Sequence, residues 1–391
     1  MGSITFTKTQ GSIAVQLPGK DHVSGIMIYC DTLPAGFGTD KMKKVVSITE
    51  AETLGITSDA VTVQHKVLHY HISEVFRINP GCELYIGIFA VPEAVPEETY
   101  DFAELKELQE FAGGDIRQAA VYCPEKSLAA AEVGALQTIA TALEAQHMPL
   151  SILYAADVSS LASLVDLSSG GRCNVSVVIG EDVGDRVAAL ATALTQSITC
   201  VGTVLGAVSL AKVSESIAWV QKFPIGIDNP GFADGSTYES VSEGTKFGSG
   251  SLDEKRFIFL CRYTGIAGCY LNDSHNLDLI TSDYNYIERV RTIDKAIRGI
   301  RANVLPYLSG PVKLDPDTGK LSPDYVAFLE VTANRALENM AKNDELSGYK
   351  VSIDPEQNVL STSTVEFVVQ KVPVGVSRSF AIKIGYTTKI Q

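Results

Sequence analysis

Residues 116–156 read IRQAAVYCPEKSLAAAEVGALQTIATALEAQHMPLSILYAA. This stretch opens with a short apolar run at 116–123 and closes with a second one at 150–156, and both have the length of a strand. The segment between them, 126–147, is rich in alanine and has the length of a helix. A strand, a helix and a second strand in succession are typical of the crossover unit of a parallel sheet.

The same alternation extends to both sides of this unit. Apolar runs predict further strands, and segments with a period of three to four residues predict helices. The additional strands are predicted at 84–91, 174–179, 256–263, 350–353, 364–370 and 379–386, and the additional helices at 100–112, 284–305 and 323–343. We therefore predict an α/β fold, α+β in its C-terminal unit, with mixed sheets covered by helices and extended β arms at both termini.

Polar and glycine-rich stretches divide the chain into four predicted parts. These are an N-terminal β arm at 1–20, an α/β body at 21–283, a C-terminal α/β domain at 284–372 and a C-terminal β arm at 373–391.

Composition restricts the function classes. The chain has 391 residues, 46 acidic against 32 basic, and a formal net charge of −14. An acidic protein is a poor partner for phosphate backbones and anionic membranes, so we expect no direct nucleic-acid partner. The seven cysteines are odd in number and lie mostly in apolar runs, which indicates reduced core thiols and no disulfide framework.

Residues 187–211 contain no charged residue and are numerous enough to span a bilayer. Threonine, serine and glutamine occur throughout, and Gly202 and Gly206 interrupt the segment. We interpret it as two helices buried in a large core, with the second apolar segment running to about Trp219, and expect no membrane insertion.

The two ends of the chain differ in charge from its body. The first 20 residues carry +2 and the last 22 carry +4, with no acidic residue in either, which leaves −20 on residues 21–369. Apolar side chains alternate in both segments, as in strands with one apolar face. If these strands pair with other subunits, they are inter-subunit arms; if they pair within the subunit, they are ordinary sheet edges. The residues concerned are Ile4, Phe6, Ile13 and Val15 at one end and Phe380, Ile382, Ile384 and Tyr386 at the other.

The predicted helix at 284–305 is basic although the protein is acidic. One interpretation is a solvated face paired with local acids, and the other is a docking surface for an acidic partner. The basic residues are Arg289, Arg291, Lys295, Arg298 and Arg301.

Catalytic patterns are weak. His65, His69 and His71 lie close together but lack the other residues of a zinc motif. Residues 317–319 read Asp-Thr-Gly, but the flanking proline and charged residues favour a turn over an aspartic-protease site. We therefore expect no enzyme activity, no catalytic residue, no metal and no cofactor.

A series of segments resembles contractile phage tail sheath proteins, the family that includes the sheaths of phages, R-type bacteriocins and related contractile injection systems. The resemblance lies in the order of weak patterns, and it is closer in the second half of the chain. The segments are GTVLG (202–206), VSESIAW (213–219), DYNYIERVRTIDKA (283–296), VKLDPDTGKL (312–321), GYKVSIDP (348–355), VPVG (372–375) and IKIGY (382–386).

The resemblance implies a structural subunit that polymerises as stacked hexameric rings around an inner tube and contracts to drive the tube through a cell envelope. The implied partners are copies of the chain, a tail tube protein, and baseplate and terminator proteins. The implied location is a virion tail assembled in the bacterial cytoplasm, and the basic helix becomes a candidate tube-facing element. Two alternatives remain open: an α/β enzyme with a small-molecule pocket at the strand ends, and another phage virion component such as a baseplate or tail-terminator subunit.

Overall fold

A computed structural model describes residues 19–91 and 100–387 of the chain. The chain divides into two compact units, residues 1–298 and residues 299–391. This division falls inside a helix, about 15 residues after the boundary predicted from the sequence at 284.

The first unit contains ten strands within the described residues. In chain order they are β1 (Ser24–Tyr29), β2 (Met42–Val45), β3 (Leu84–Phe89), β4 (Gln118–Ser127), β5 (Ser151–Asp157), β6 (Val175–Val177), β7 (Gly180–Asp182), β8 (Pro230–Phe232), β9 (Leu260–Cys261) and β10 (Tyr270–Leu271).

Eight helices accompany these strands, and the last of them continues into the second unit. They are α1 (Ile48–Thr53), α2 (Val63–Ile78), α3 (Ala103–Phe111), α4 (Ala130–Ala145), α5 (Asp185–Leu194), α6 (Val201–Leu210), α7 (Glu243–Phe247) and α8 (Ile287–Val304).

A six-stranded sheet with the order β2-β3-β1-β4-β5-β6 organises the first unit. Its strands are parallel except for β2, which pairs antiparallel with β3 at one edge. Ile26 of the central strand β1 faces Ile86 of β3 on one side and Ala120 of β4 on the other. The strand order thus reverses direction at β1, because β3 lies on one side of it and the later strands on the other. The α/β prediction is confirmed.

Side chains that alternate along each strand build a hydrophobic core on both faces of the sheet. Ile26 and Ile28 pack on the face covered by α2 and α6, whereas Met27 and Tyr29 pack on the face covered by α3 and α4. Strands buried on both faces explain why the sequence shows continuous apolar runs.

The uncharged segment at 187–211 forms α5 and α6, as two separate helices. Helix α6 is buried over nine of its ten residues and packs closely against α2. A side chain at Gly202 would lie 2.4 Å from the carbonyl oxygen of His71, so glycine is required for this approach. Helix α6 ends at Leu210, earlier than the predicted end near Trp219, because Ala211 is extended and a turn follows. Among the described residues, no helix is both long and apolar enough to cross a membrane.

The second unit is small and has its own core. Its elements are α9 (Pro323–Lys342), β11 (Leu346–Ser352), α10 (Val359–Thr362) and β12 (Val368–Pro373). The core centres on Leu321, Leu329 and Ile353, with α9 packed on β11. Pro323 occupies the first turn of α9, and the Ser322 hydroxyl accepts a hydrogen bond from the Tyr325 amide at 3.3 Å, which caps the helix.

Candidate assembly surface

The sheet of the second unit has two strands in the described part of the chain. Strands β11 and β12 pair antiparallel, with Tyr349 opposite Lys371 and Ser352 opposite Val368. The register shifts between Leu346 and Gly348, so the start of β11 is bent relative to its partner. A two-stranded sheet has no interior strand, and both of its outer edges carry backbone groups that can pair with further strands.

Strand β12 is poorly covered. Five of its six residues are exposed, and these include Val368 at 55% and Val372 at 58%. Valine is a strand-forming residue that is normally half-buried in a sheet, so this surface is unusually apolar for one in contact with water. The sheet has the properties of an incomplete one that another strand would cover.

The segment that follows β12 has no regular secondary structure. Residues 374–387 form neither helix nor strand in the single chain, although the sequence predicts a strand at 379–386. The apolar side chains of Phe380, Ile382, Ile384 and Tyr386 are all more than 80% exposed. The role of these four residues as an inter-subunit arm stays a prediction.

The residues of the other predicted arm, Ile4, Phe6, Ile13 and Val15, lie outside the described residues.

One edge of the large sheet, at β2, is protected against the addition of another strand, whereas β12 lacks this protection. The edge strand β2 has the sequence MKKV, and Lys44 of this strand forms an ion pair with Glu83 at 2.6 Å. Lysine on an edge strand opposes the addition of another strand. The edge at β2 is therefore better protected against strand addition than β12 is.

The basic residues of α8 are less exposed than the docking interpretation requires. Arg291 is buried, and its guanidinium donates hydrogen bonds to the carbonyl oxygens of Ala211 at 3.2 Å and Asp21 at 3.2 Å. The guanidinium is enclosed within the first unit, where it supplies hydrogen-bond donors to backbone carbonyl groups of two turns. Arg291 therefore does not lie on the surface predicted from the sequence.

Lys295 and Arg298 also face their own unit. The Lys295 ammonium forms an ion pair with Asp21 at 2.5 Å. Burial acts to raise the pKa of Asp21, but the charge and hydrogen bond of Lys295 act against it, and the net effect is a lowered pKa. Arg298 donates to the carbonyl oxygen of Pro149 at 3.4 Å, and burial lowers the pKa of its guanidinium to about 10.

The remaining basic residues of α8 are half-buried. Arg289 donates to the Asn285 side chain at 3.0 Å and lies over the ring of Tyr286, while Arg301 is in the last turn of the helix. A tube-facing role of α8 stays a prediction for Arg289 and Arg301.

An apolar surface in the second unit had no counterpart in the sequence-based site prediction. Its members are exposed and lie just after α8 and in the first half of α9: Leu305, Tyr307, Leu308, Phe328 and Val331. The rings of Tyr307 and Phe328 meet edge to face, with their centroids 5.0 Å apart. The signal available in the sequence was the spacing of Phe328 and Val331, which places two apolar side chains on the outer side of α9.

The three histidines of α2 serve three different structural purposes. His65 bonds the carbonyl oxygen of Thr32 at 2.8 Å, and His69 bonds the Glu52 carboxylate at 3.1 Å. His71 is fully buried, and burial lowers its pKa to about 3. In the described ranges, no group of three or more potential ligands is placed to hold a metal ion.

The Asp-Thr-Gly sequence at 317–319 is a turn. The Asp315 carboxylate accepts hydrogen bonds from the amides of Asp317 at 2.8 Å and Thr318 at 3.0 Å, and Gly319 has a φ of 70°. Those bonds lower the pKa of Asp315, and the turn returns the chain to the short bridge between Leu314 and Leu321.

Comparisons with known proteins cover nearly the whole chain. The profile of the DUF2586 N-terminal domain matches residues 1–275, and that of the DUF2586 C-terminal domain matches residues 283–391. No curated protein has a significant sequence match to the chain.

Two solved structures have a similar fold. A chain from the cryo-EM structure of the anti-feeding prophage (AFP) baseplate is 13% identical, with a TM-score of 0.64, and covers 99% of this chain and 100% of its own length. A chain from the contracted sheath complex of PVC, an extracellular contractile injection system, is 9% identical, with a TM-score of 0.60, and covers 99% of this chain and 98% of its own. The fold of both units is thus shared with chains of these assemblies.

Proposed function

This chain belongs to the DUF2586 family, and from that premise we propose that it is a structural subunit of a contractile injection particle. The observation that carries the proposal is the fold similarity over 99% of the chain to chains from two such assemblies. Both matched chains come from assemblies of structural parts, which favours this role over the α/β enzyme considered from the sequence.

Within such a particle, two positions are supported. The AFP chain comes from a baseplate structure and has the higher TM-score, which supports a ring component of the baseplate. The PVC chain comes from a sheath complex, which supports a sheath subunit that stacks as hexameric rings around a tube and contracts. The baseplate position accounts for the comparisons at least as well as the sheath position does.

We propose that neighbouring copies join through strand addition at the second unit. Strand β12 exposes valines in a two-stranded sheet, and residues 374–387 are a segment without regular secondary structure that carries four exposed apolar side chains. An added strand would cover this apolar surface and satisfy backbone groups at once. Main-chain pairing also persists when the attached bodies rotate, which suits a particle that changes its packing.

The other partners follow from the same proposal. They are a tail tube protein and further baseplate or terminator proteins, in a particle assembled in the bacterial cytoplasm. The exposed apolar surface around Tyr307 and Phe328 is a second candidate contact, and Arg289 and Arg301 stay candidates for a tube-facing role.

Negative-stain electron microscopy of the purified full-length chain tests the proposal. Long tubes would support the sheath position, and closed single rings would support the baseplate position. The double variant Val368→Lys/Val372→Lys should reduce either assembly, because lysine opposes strand addition. The double variant Val61→Lys/Val165→Lys, at two exposed valines of the first unit, is the matched control for added surface charge. A chain that stays monomeric at high concentration, alone and with tube protein, would contradict the proposal.

A further inference from the structure

The large sheet leaves a crevice at the carboxyl ends of its parallel strands. In open α/β sheets, ligands bind where the strand order reverses, outside the carboxyl ends of the two strands concerned. Here the order reverses at β1, and its neighbour on the later side is β4. A cavity of about 490 Å³ lies there, with Asp31 just after β1 and Glu125 within β4 among its lining residues.

The two carboxylates occupy different depths of the crevice. Asp31 is exposed at the rim, where its carboxylate accepts a hydrogen bond from the Gln64 side chain at 3.3 Å. Glu125 is half-buried, and its Oε2 atom is buried without a hydrogen-bond partner in the described structure. Burial, together with the negative charge of Asp31, raises the pKa of Glu125 to about 7.

An unpartnered buried carboxylate oxygen is costly, and it is stabilised by a cation that donates a hydrogen bond to it. None of the described side chains that line the cavity carries a positive charge. Apart from the two acids, they are glutamine, valine, alanine and leucine. The Lys126 ammonium, next in sequence to Glu125, lies instead over the ring of Tyr100, 4.7 Å from its centroid.

Helix ends act on the crevice from two sides. The last turn of α5 borders it through Ala193 and Leu194, and the partial negative charge of a helix C-terminus favours a cation. The first turn of α2 borders it through Val63 and Gln64 and acts in the opposite sense. The Asp31 carboxylate is bonded to Gln64 in the first turn of α2, so its negative charge lies beside the positive end of that helix. The Glu125 carboxylate and the C-terminus of α5 then make the rest of the crevice electronegative.

We propose that this crevice binds an organic cation, a primary ammonium or guanidinium group, between the carboxylates of Glu125 and Asp31. The neutral glutamine side chains and the apolar lining suit the carbon chain that carries such a group. The same chemistry is offered by a small diffusible cation and by a lysine or arginine side chain of another copy. This site lies in the first unit and does not depend on the assembly proposed above.

Isothermal titration calorimetry on the full-length chain tests the site with two probes. The first is agmatine, which carries a guanidinium and an ammonium group. The second is a peptide of residues 378–389, RSFAIKIGYTTK, taken from the basic C-terminal segment. Glu125→Gln and Asp31→Asn remove one charge each with little change in shape, and Glu110→Gln, an exposed acid on α3, is the matched control.

We expect the wild-type chain and Glu110→Gln to bind at least one probe alike, and Glu125→Gln and Asp31→Asn to bind it at least about tenfold more weakly. Binding of agmatine identifies a small cation as the source, and binding of the peptide alone identifies a side chain of another copy. Failure of both probes to bind the wild-type chain would overturn the proposal, as would equal affinity in all four proteins. Thermal melts of each variant establish folding, and if one of the two site variants does not fold, the other decides.

Discussion

At the scale of single residues, burial separates structural side chains from functional ones in a way that the sequence could not. Arg291 and Arg301 are ten positions apart on one helix and look alike in the sequence, yet Arg291 is enclosed and Arg301 is not. The difference depends on what the rest of the chain places beside each one. For Arg291 these are the backbone carbonyls at Asp21 and Ala211, which are 270 and 80 positions away.

Reversing the charge of Arg291 should therefore damage folding and not only assembly. Arg291→Glu would bury an anion beside Asp21 and leave carbonyl groups without donors. We expect a loss of about 3 kcal/mol or more in the free energy of unfolding, measured by urea denaturation. Arg301→Glu, on the same helix, should change it by no more than about 0.5 kcal/mol. A fully stable Arg291→Glu chain that only fails to assemble would restore the docking interpretation of this residue.

The fully buried His71 should make stability depend on pH. Both of its ring nitrogens lack hydrogen-bond partners in the described structure, and its imidazole ring contacts the rings of Tyr70 and Tyr122. Its pKa is about 3 in the folded chain and near 6.5 when unfolded. Between these values the unfolded state holds a proton that the folded state does not, so stability falls as the pH is lowered through this range, by about 1.4 kcal/mol per unit.

Replacing this histidine isolates its contribution. Unfolding free energies measured from pH 7 to pH 4 should fall less steeply in His71→Leu than in the wild type, and His71→Leu should be no less stable at pH 7. The exposed His147, which has a positive φ, supplies the control His147→Asn, whose slope should match the wild type. Equal slopes in all three proteins would show that His71 becomes protonated without unfolding.

At the scale of elements, the sequence predicted the long strands and helices of the crossover unit and missed several others, among them two that are central to the first unit. The crossover unit formed by β4, α4 and β5 lies within a few residues of its prediction. The central strand β1 was missed although its sequence, SGIMIY, is mostly apolar. Helix α2 was missed as well, and its sequence VQHKVLHYHISEVFRI carries three histidines that are all buried. Burial of polar residue types hides an element's inner side from any pattern based on hydrophobicity.

One predicted strand is shorter in the structure than in the prediction, because a side chain bonds one of its backbone amides. Of the apolar run at 256–263, only Leu260–Cys261 is in a strand. The amide of Phe259 donates to the Asn272 side chain at 2.8 Å, so a side chain takes the place of a neighbouring strand. A sequence pattern predicts that a segment is buried and extended, but it does not specify which group will satisfy each amide.

The close approach of α2 and α6 provides a prediction at this scale. An added methyl group at Gly202 would collide with backbone atoms of His71, which have little freedom to move. We expect Gly202→Ala to lower the free energy of unfolding by about 1–3 kcal/mol. Gly134, inside α4, has nothing within 4 Å of an added methyl group, so Gly134→Ala should be neutral or stabilise by up to about 1 kcal/mol.

Thermal and urea denaturation of the two alanine variants check this contrast. The two changes are chemically identical, both are inside helices, and they differ in what surrounds the added carbon. Equal stability of the two variants would show that α2 and α6 can separate without cost.

At the scale of the whole molecule, charge and exposure distinguish the body of the chain from the C-terminal segment that we propose as an arm. The acidic body has a closed core and a lysine-bearing sheet edge, whereas the last residues are basic, apolar on alternate positions and exposed. This contrast was visible in the sequence because it rests on composition and alternation alone. The surface on β12 that we propose for binding this segment was not visible in the sequence, because the exposure of β12 depends on how the second unit packs.

Truncation separates folding from assembly at this scale. The cut belongs after Pro373, because Leu346 pairs with Pro373 and its loss would shorten the β11–β12 sheet. We expect a chain of residues 1–373 to keep its unfolding free energy within about 0.5 kcal/mol of the full-length value, since the removed side chains are exposed and contribute little to the core. The same chain should form neither tubes nor rings by negative-stain electron microscopy.

A full-length variant with Ile382→Lys and Ile384→Lys provides the control for chain length. It keeps every backbone group of the segment but loses its apolar face, and we expect it to assemble as poorly as the truncated chain, because strand addition depends on covering apolar side chains as well as on backbone pairing. Normal assembly of this variant would assign the attachment to the backbone alone. Normal assembly of the truncated chain would show that copies associate through another surface, and the exposed apolar side chains around Tyr307 and Phe328 would then be the first to test.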